Sequence, residues 1–374
     1  MQHSINDFFR SRRGIIAVGA IIGILGPTLQ KLGNPPNMGI CVACFERDIT
    51  GALGLHRAAT VQYLRPEIFG FVLGSLIAAL LFREFKARGG PAPIIRFILG
   101  FFGMIGSLVF LGCPWRAWFR LAGGDINGLI GLIGLATGIL IGIVFLKNGY
   151  SLGRSNKTHA AAGYVFPLIM AALLLLAIFR PTFGPENSGP IFSSESGPGS
   201  KHAPLLISLA FGLLIGFLAQ RTRFCTVGAV RDIVLLKDFH LGSGILSLGI
   251  SAFLMNLIYG QFHPGFQGMP IAHSNVIWNL LGMILAGLAY CLAGGCPGRQ
   301  LFLSGEGDTD AGIFVLGMIT GAAFAHNFGL AGSPDSVVDG VLKIGGISSN
   351  GMIMVGIGLL VCVLIGLTMR EKVQ

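Results

Sequence analysis

Ten apolar runs, each about as long as a bilayer is thick, constrain this chain more than any other feature. A spanning helix needs about 20 mostly apolar residues. Such runs cover residues 14–32, 66–82, 93–112, 126–146 and 160–178, and then 203–220, 241–259, 275–294, 311–328 and 351–369. Charged residues are 11% of the 374, and mean hydropathy is +0.75. So little polar surface cannot cover that much apolar sequence in water. The expected class is an all-α integral membrane protein, multi-pass in the lipid bilayer, with about ten transmembrane helices.

A polar stretch rich in Gly, Pro and Ser divides the runs five and five. The expected organisation is a first transmembrane repeat over 1–180, a polar extracytoplasmic linker over 181–202, and a second repeat over 203–374. The opening "MQHSINDFFRSRRG" before an apolar run has the look of a signal peptide. No small-residue cleavage site follows, so it reads as a retained first helix.

A formal net charge of +10 raises nucleic acid as a partner. The basic residues are instead scattered in short loops, with no basic helix, and nucleic acid is excluded. Positive residues concentrate on the cytoplasmic side of membrane proteins. With the N-terminus inside, 17 of the 26 Lys and Arg fall in inner loops, so both termini are expected in the cytoplasm. Seven cysteines, mostly within or beside apolar runs, do not suggest a disulfide framework.

The two halves share text. Shifting by 183 residues brings "GCPWRAWFRLAGGD" from Gly112 onto "GCPGRQLFLSGEGD" from Gly295, and 11 of 27 positions agree over 112–138 and 295–321. A shift of 184 brings "CVACFERD" from Cys41 onto "CTVGAVRD" from Cys225. Two motifs in the same order at nearly one offset define an internal repeat. Because five spans per repeat is odd, the second copy enters the membrane from the opposite face. Inverted repeats of this kind recur in transporters, with the site near the midplane.

The segments after each motif cysteine are too short or too polar to span. Non-helical backbone at membrane depth survives only where protein or a water-filled cavity surrounds it. All four motifs are therefore expected as re-entrant half-helices, two from each face. Proline favours the first helical position, which puts Cys113 and Cys296 at N-caps. A helix N-terminus offers free N–H donors and partial positive charge to an anion and favours thiolate. Arg116 and Arg299, one turn on, add a planar cation suited to an oxyanion. Cys41, Cys113, Cys225 and Cys296, with Arg116 and Arg299, are thus the candidate substrate-binding residues. Arg47, Asp48, Arg231 and Asp232 read as supporting braces, since intramembrane charges need partners.

Other residues read more plainly. Cys291 and Cys362 are expected to be packing, Asp125 and Asp308 N-caps of the next spans, and Trp115 and Trp118 interfacial anchors. Arg116 and Arg299 could alternatively pair with Asp125 and Asp308 and simply hold the fold. Cys44 completes a Cys-x-x-Cys, but Gly228 stands at its place in the second copy, so it lies outside the repeated device. No zinc-like ligand spacing and no nucleotide-binding glycine loop is present, so neither a metal nor a cofactor is expected.

These motifs, above all "RTRFCTVGAVRD" and "LAGGCPGRQ", resemble the YeeE/YedE sulphur-transport family over essentially the whole chain. "MGICVACFERD" and "FRLAGGD" are similar to a branch described as selenium transporters. The resemblance implies an inner-membrane permease, not an enzyme, importing a small sulphur or selenium anion, with thiosulfate the substrate of the better-understood members. It implies that pore cysteines handle the substrate by thiol hydrogen bonds, and that entry ends on a cytosolic sulphur- or selenium-carrier protein. Two other readings stay open from the residues: a membrane thiol oxidoreductase using Cys41 and Cys44, and a channel for a small neutral solute.

Overall fold

The computed structural model describes residues 2–181 and 190–370. Most of the linker's first half and the last basic side chain counted above, Lys372, lie outside the described residues.

Fifteen α-helices occur among the described residues. The first half holds α1 (Gln2–Arg10), α2 (Arg12–Lys31), α3 (Val42–Ala52), α4 (Pro66–Leu81), α5 (Pro93–Phe110), α6 (Pro114–Ala122), α7 (Asn127–Lys147) and α8 (Ala160–Phe179). The second holds α9 (Leu205–Thr222), α10 (Thr226–Leu236), α11 (His240–Ile258), α12 (Val276–Ala293), α13 (Pro297–Gly305), α14 (Thr309–Asn327) and α15 (Ser349–Thr368). Two small antiparallel ribbons decorate the loops: β1 (Arg88–Gly89) with β2 (Asn156–Lys157), and β3 (Ser336–Val338) with β4 (Val341–Lys343).

Every apolar run of the sequence is one of these helices. Nine candidate spans are long and apolar enough to cross a membrane, and α4, with 16 residues, is shorter. The protein is an all-α, multi-pass membrane protein. Outward-facing side chains such as Leu168, Leu206 and Ile353 are apolar and well exposed, as a lipid-facing surface requires. The inner faces are glycine-rich and buried.

Helix pairs exchange partners between the halves. Helix α2 packs on α11 as α9 packs on α4, and α7 packs on α12 as α14 packs on α5. The match extends to single residues. A Cβ on Gly134 would meet the carbonyl of Leu280 at 2.5 Å, and one on Gly317 would meet that of Phe97 at 2.1 Å. Both members of the second contact are the first pair moved by 183 positions. Ser107 and Tyr290, themselves equivalent, touch each other through their hydroxyls at 2.6 Å. Such exchange is what a two-fold relation between halves produces, with α5 and α12 against each other at its centre. The glycines repeat because each lets two backbones approach closely.

The described linker residues are not a loose spacer. Phe192 N–H donates to Ala52, Ser194 bonds the backbone of Gln62, and Arg65 holds the carbonyls of Pro198 and Lys201.

Candidate functional site

The four short helices α3, α6, α10 and α13 are the expected half-helices, and each begins at a motif cysteine. Cys41, Cys113, Cys225 and Cys296 all occupy N-cap positions in extended backbone conformation. In α6 and α13 proline stands at the first helical position, where its missing N–H costs nothing. In α3 and α10 the thiol itself does the capping. Cys41 Sγ accepts from the N–H of Cys44 at 3.3 Å, and Cys225 Sγ from that of Gly228 at 3.2 Å.

The cysteines come together in two pairs, each formed inside one half. Cys41 Sγ also accepts from the N–H of Cys113 at 3.4 Å. Cys225 Sγ lies 3.9 Å from Cys296 Sγ. Each pair thus sits where two half-helix N-termini converge, with their N–H groups and positive dipole ends turned toward sulphur. All four residues are buried, Cys225 at 5% being the most exposed.

The pairs differ in access. A cavity of about 750 Å³ reaches Cys225, Gly228 and Gly294, and its wall carries five arginines, Arg10, Arg221, Arg223, Arg231 and Arg299, with the carboxylates of Glu84, Asp232 and Asp238. A second, of about 290 Å³, lies at the other end of α2, between Gln30, Asn37, Phe119 and His263. Arg10 precedes α2 and Gln30 lies in its last turn, and a 20-residue helix spans about 30 Å. The two cavities therefore open at opposite ends of the bundle. Cys41, Cys44, Cys113 and Cys296 line neither.

The arginines depart from the sequence expectation. Arg299 lines the large cavity and pairs with Glu306 at 3.4 Å, and Asp308 pairs instead with Arg88 at 2.8 Å. Arg116 is fully buried, has no carboxylate partner among the described residues, and faces neither cavity. Its guanidinium turns back on backbone carbonyls: Leu111, Asn37 at 3.2 Å and Ile271 at 2.9 Å. Asp125 belongs to Arg120 at 2.7 Å. It also accepts from the N–H of Asn127, so it holds the start of α7 without being its N-cap residue. Asp308 does cap α14, accepting from Ala311.

Arg47–Asp48 and Arg231–Asp232 are ion pairs at 2.6 and 2.9 Å, as braces should be. Asp48 also accepts from Arg65 at 2.7 Å, making a fully buried triad. At the mouth of the large cavity Glu84 is held below the usual carboxylate range. Partial burial works against this, and hydrogen bonds from Gln220 and Arg221, with the charge of Arg221, outweigh it.

Three residues carry more of the site than the sequence suggested. Cys44, set aside for want of a repeated partner, receives Arg116 Nη1 at 3.4 Å and points its own thiol at the Leu111 carbonyl. Glu46 is 1% exposed, and neither carboxylate oxygen has a partner among the described residues. Trp115 is no interfacial anchor: it is 1% exposed and ringed by Phe71, Phe224 and Phe302, at 5.7 to 6.2 Å between ring centres. Tertiary contacts overrode the usual aromatic preference for the interface. Its neighbour Trp118 is half-buried against Gly249 of α11. One sequence signal was available for both Glu46 and Trp115, since their repeat equivalents are Val230 and Gly298. Cys291 and Cys362 are buried packing, as expected.

Helices that cross the bilayer around four cysteine-capped half-helices, with a basic vestibule leading to one thiol pair, define a membrane protein with a thiol-centred interior. Residues 221–373 match the family model described as sulphur transport. The YeeE/YedE resemblance read from the cysteine motifs is thereby borne out in the second half. The chain is similar to the thiosulfate transporter TsuA of Spirochaeta thermophila, 33% identical over 109 residues, which are 29% of this chain and 32% of that one. It is also similar to the thiosulfate transporter TsuA of Escherichia coli, 29% identical over 103 residues, 28% and 29% of the two chains. These matches span about a third of the length of the curated relatives.

Proposed function

We propose that this protein is an inner-membrane permease, both termini cytoplasmic, that imports a small sulphur anion of thiosulfate type. The thiol pairs pass it through the centre, from Cys41 and Cys113 to Cys225 and Cys296. The pairing of cysteine N-caps carries this reading: two half-helix N-termini meet at each pair, so anion-attracting N–H groups and soft thiols share one place. A polarisable chalcogen suits a thiol better than a hard hydroxyl or carboxylate. That argument applies equally to a selenium analogue, which is the second substrate to test.

The vestibule supports an anion as the cargo. Arg10, Arg223, Arg231 and Arg299 surround the way from Cys225 to solvent, and this is the end that carries the N-terminal helix. Arginines outnumber the carboxylates Glu84, Asp232 and Asp238 on that wall, and the excess positive charge attracts the anion and suits a cytosolic sulphur-carrier protein that would receive it. The similarity to two proteins named thiosulfate transporters supports the same substrate class.

Uptake of labelled thiosulfate into proteoliposomes decides the matter. Cys113→Ser and Cys296→Ser are each expected to abolish uptake at normal protein level, with Cys362→Ser near wild type. Equal effects at all three would reduce the pairs to packing. Full tolerance of serine would favour a neutral-solute channel.

A further inference from the structure

Between the two thiol pairs stands an indole. Trp115 follows Cys113 by two residues on α6, and its ring packs against Phe224, which precedes Cys225. The edge formed by Cε2 and Cζ2 lies 3.6 and 3.5 Å from the Cβ position of Gly298, two residues after Cys296. One side chain therefore bridges from the first Cys-Pro half-helix to the first turn of the second.

Two observations show that it does more than fill space. Nε1 is bonded to Cε2, so the N–H lies on the edge turned toward the α13 N-terminus, and it has no hydrogen-bond partner among the described residues. A buried indole N–H is ordinarily paired, and leaving it unpaired forfeits its hydration with nothing in return. The repeat is also broken here. Trp115 and Gly298 are equivalent by the 183-residue shift, and near a two-fold axis only one bulky ring fits, with glycine as the hollow that receives it. The large cavity reaches Cys225 and stops short of Cys296, Trp115 and Cys113.

Resting on the permease reading above, we propose that Trp115 is the gate between the thiol pairs and that its indole N–H is a donor to the anion as it passes from Cys113 to Cys296. With the ring seated on Gly298 the route is closed. An anion at this point supplies the acceptor that the N–H lacks.

Two variants test the two halves of this proposal. A small charged methanethiosulfonate reagent is applied to the purified full-length protein, and the modified cysteines are mapped by mass spectrometry. Wild type is expected to label at Cys225 and not at Cys113, and Trp115→Gly to gain labelling at Cys113. Absence of that gain in a monodisperse variant overturns the gate. Trp115→Phe keeps a ring and removes the donor. It is expected to keep Cys113 protected and to weaken thiosulfate binding roughly tenfold or more, the loss of one hydrogen bond to a charged group. Unchanged affinity overturns the donor role while leaving the permease reading intact. If wild type does not bind thiosulfate, that reading falls together with the donor role, and the labelling result still decides the gate.

Discussion

The guanidinium of Arg116 reaches the thiol of Cys44 at 3.4 Å, a contact between two half-helices that have no such link in the second half, where Gly228 replaces the cysteine. Arg116 also ties the loops at Asn37 and Ile271 to α6. It is a buried cation whose described partners are carbonyls and a thiol, so an arriving anion would be its first countercharge.

Arg116→Lys keeps the charge and loses the planar fork, so partial thiosulfate affinity is expected to remain. Arg116→Gln is expected to lose most of it. Binding to purified variants with unchanged thermal unfolding checks this, and full affinity in a folded Gln variant would remove Arg116 from the anion's path.

The 3.9 Å between Cys225 and Cys296 sulphurs is close enough for oxidation to join them after a small shift. A mild oxidant is expected to crosslink this pair and stop uptake, with recovery on reduction. Cys225→Ser should not crosslink, and peptide mapping under non-reducing conditions reads the result. Uptake that survives a completed crosslink would mean the anion does not pass between these thiols.

The glycine contacts make a stability prediction. A Cβ at Gly138 would fall 2.1 Å from the carbonyl of Ile284, whereas one at Gly356 meets nothing within 4 Å. Gly138→Ala is expected to destabilise by about 1–3 kcal/mol through forced separation of α7 from α12. Gly356→Ala should be neutral or raise stability by up to about 1 kcal/mol through helix propensity. Thermal unfolding in detergent compares them.

The same Arg-Asp motif should weigh differently in the two halves. Asp48 is fully buried between Arg47 and Arg65, so Asp48→Asn strands buried charge and is expected to cost about 3–5 kcal/mol. The Asp232 side chain is 17% exposed and that of its partner Arg231 is 35% exposed. Asp232→Asn should cost about 1 kcal/mol or less. Equal losses in melting temperature would contradict the burial difference.

Much of this architecture was legible because it depends on local properties of the chain. Hydropathy over about 20 residues located all ten long helices, and the Cys-Pro step located the N-caps of α6 and α13. The offsets of 183 and 184 paired the motifs and marked the two halves as an internal repeat, and which helices exchange partners came from the packing. What needed three dimensions was the choice of partner for each charge and ring. Asp125 lies within reach of both Arg116 and Arg120 along the sequence, and only packing gave it to Arg120. Arg65 finds Asp48 from 17 residues away, and Glu46 finds no partner among the described residues. Trp115 resembles an interfacial residue in sequence, and lies at the centre because Gly298, in the other half, leaves room for its ring. Local rules decide whether a segment is helical and where it starts. Which side chain meets which is decided by the few ångströms between helices that the chain brings together from both halves.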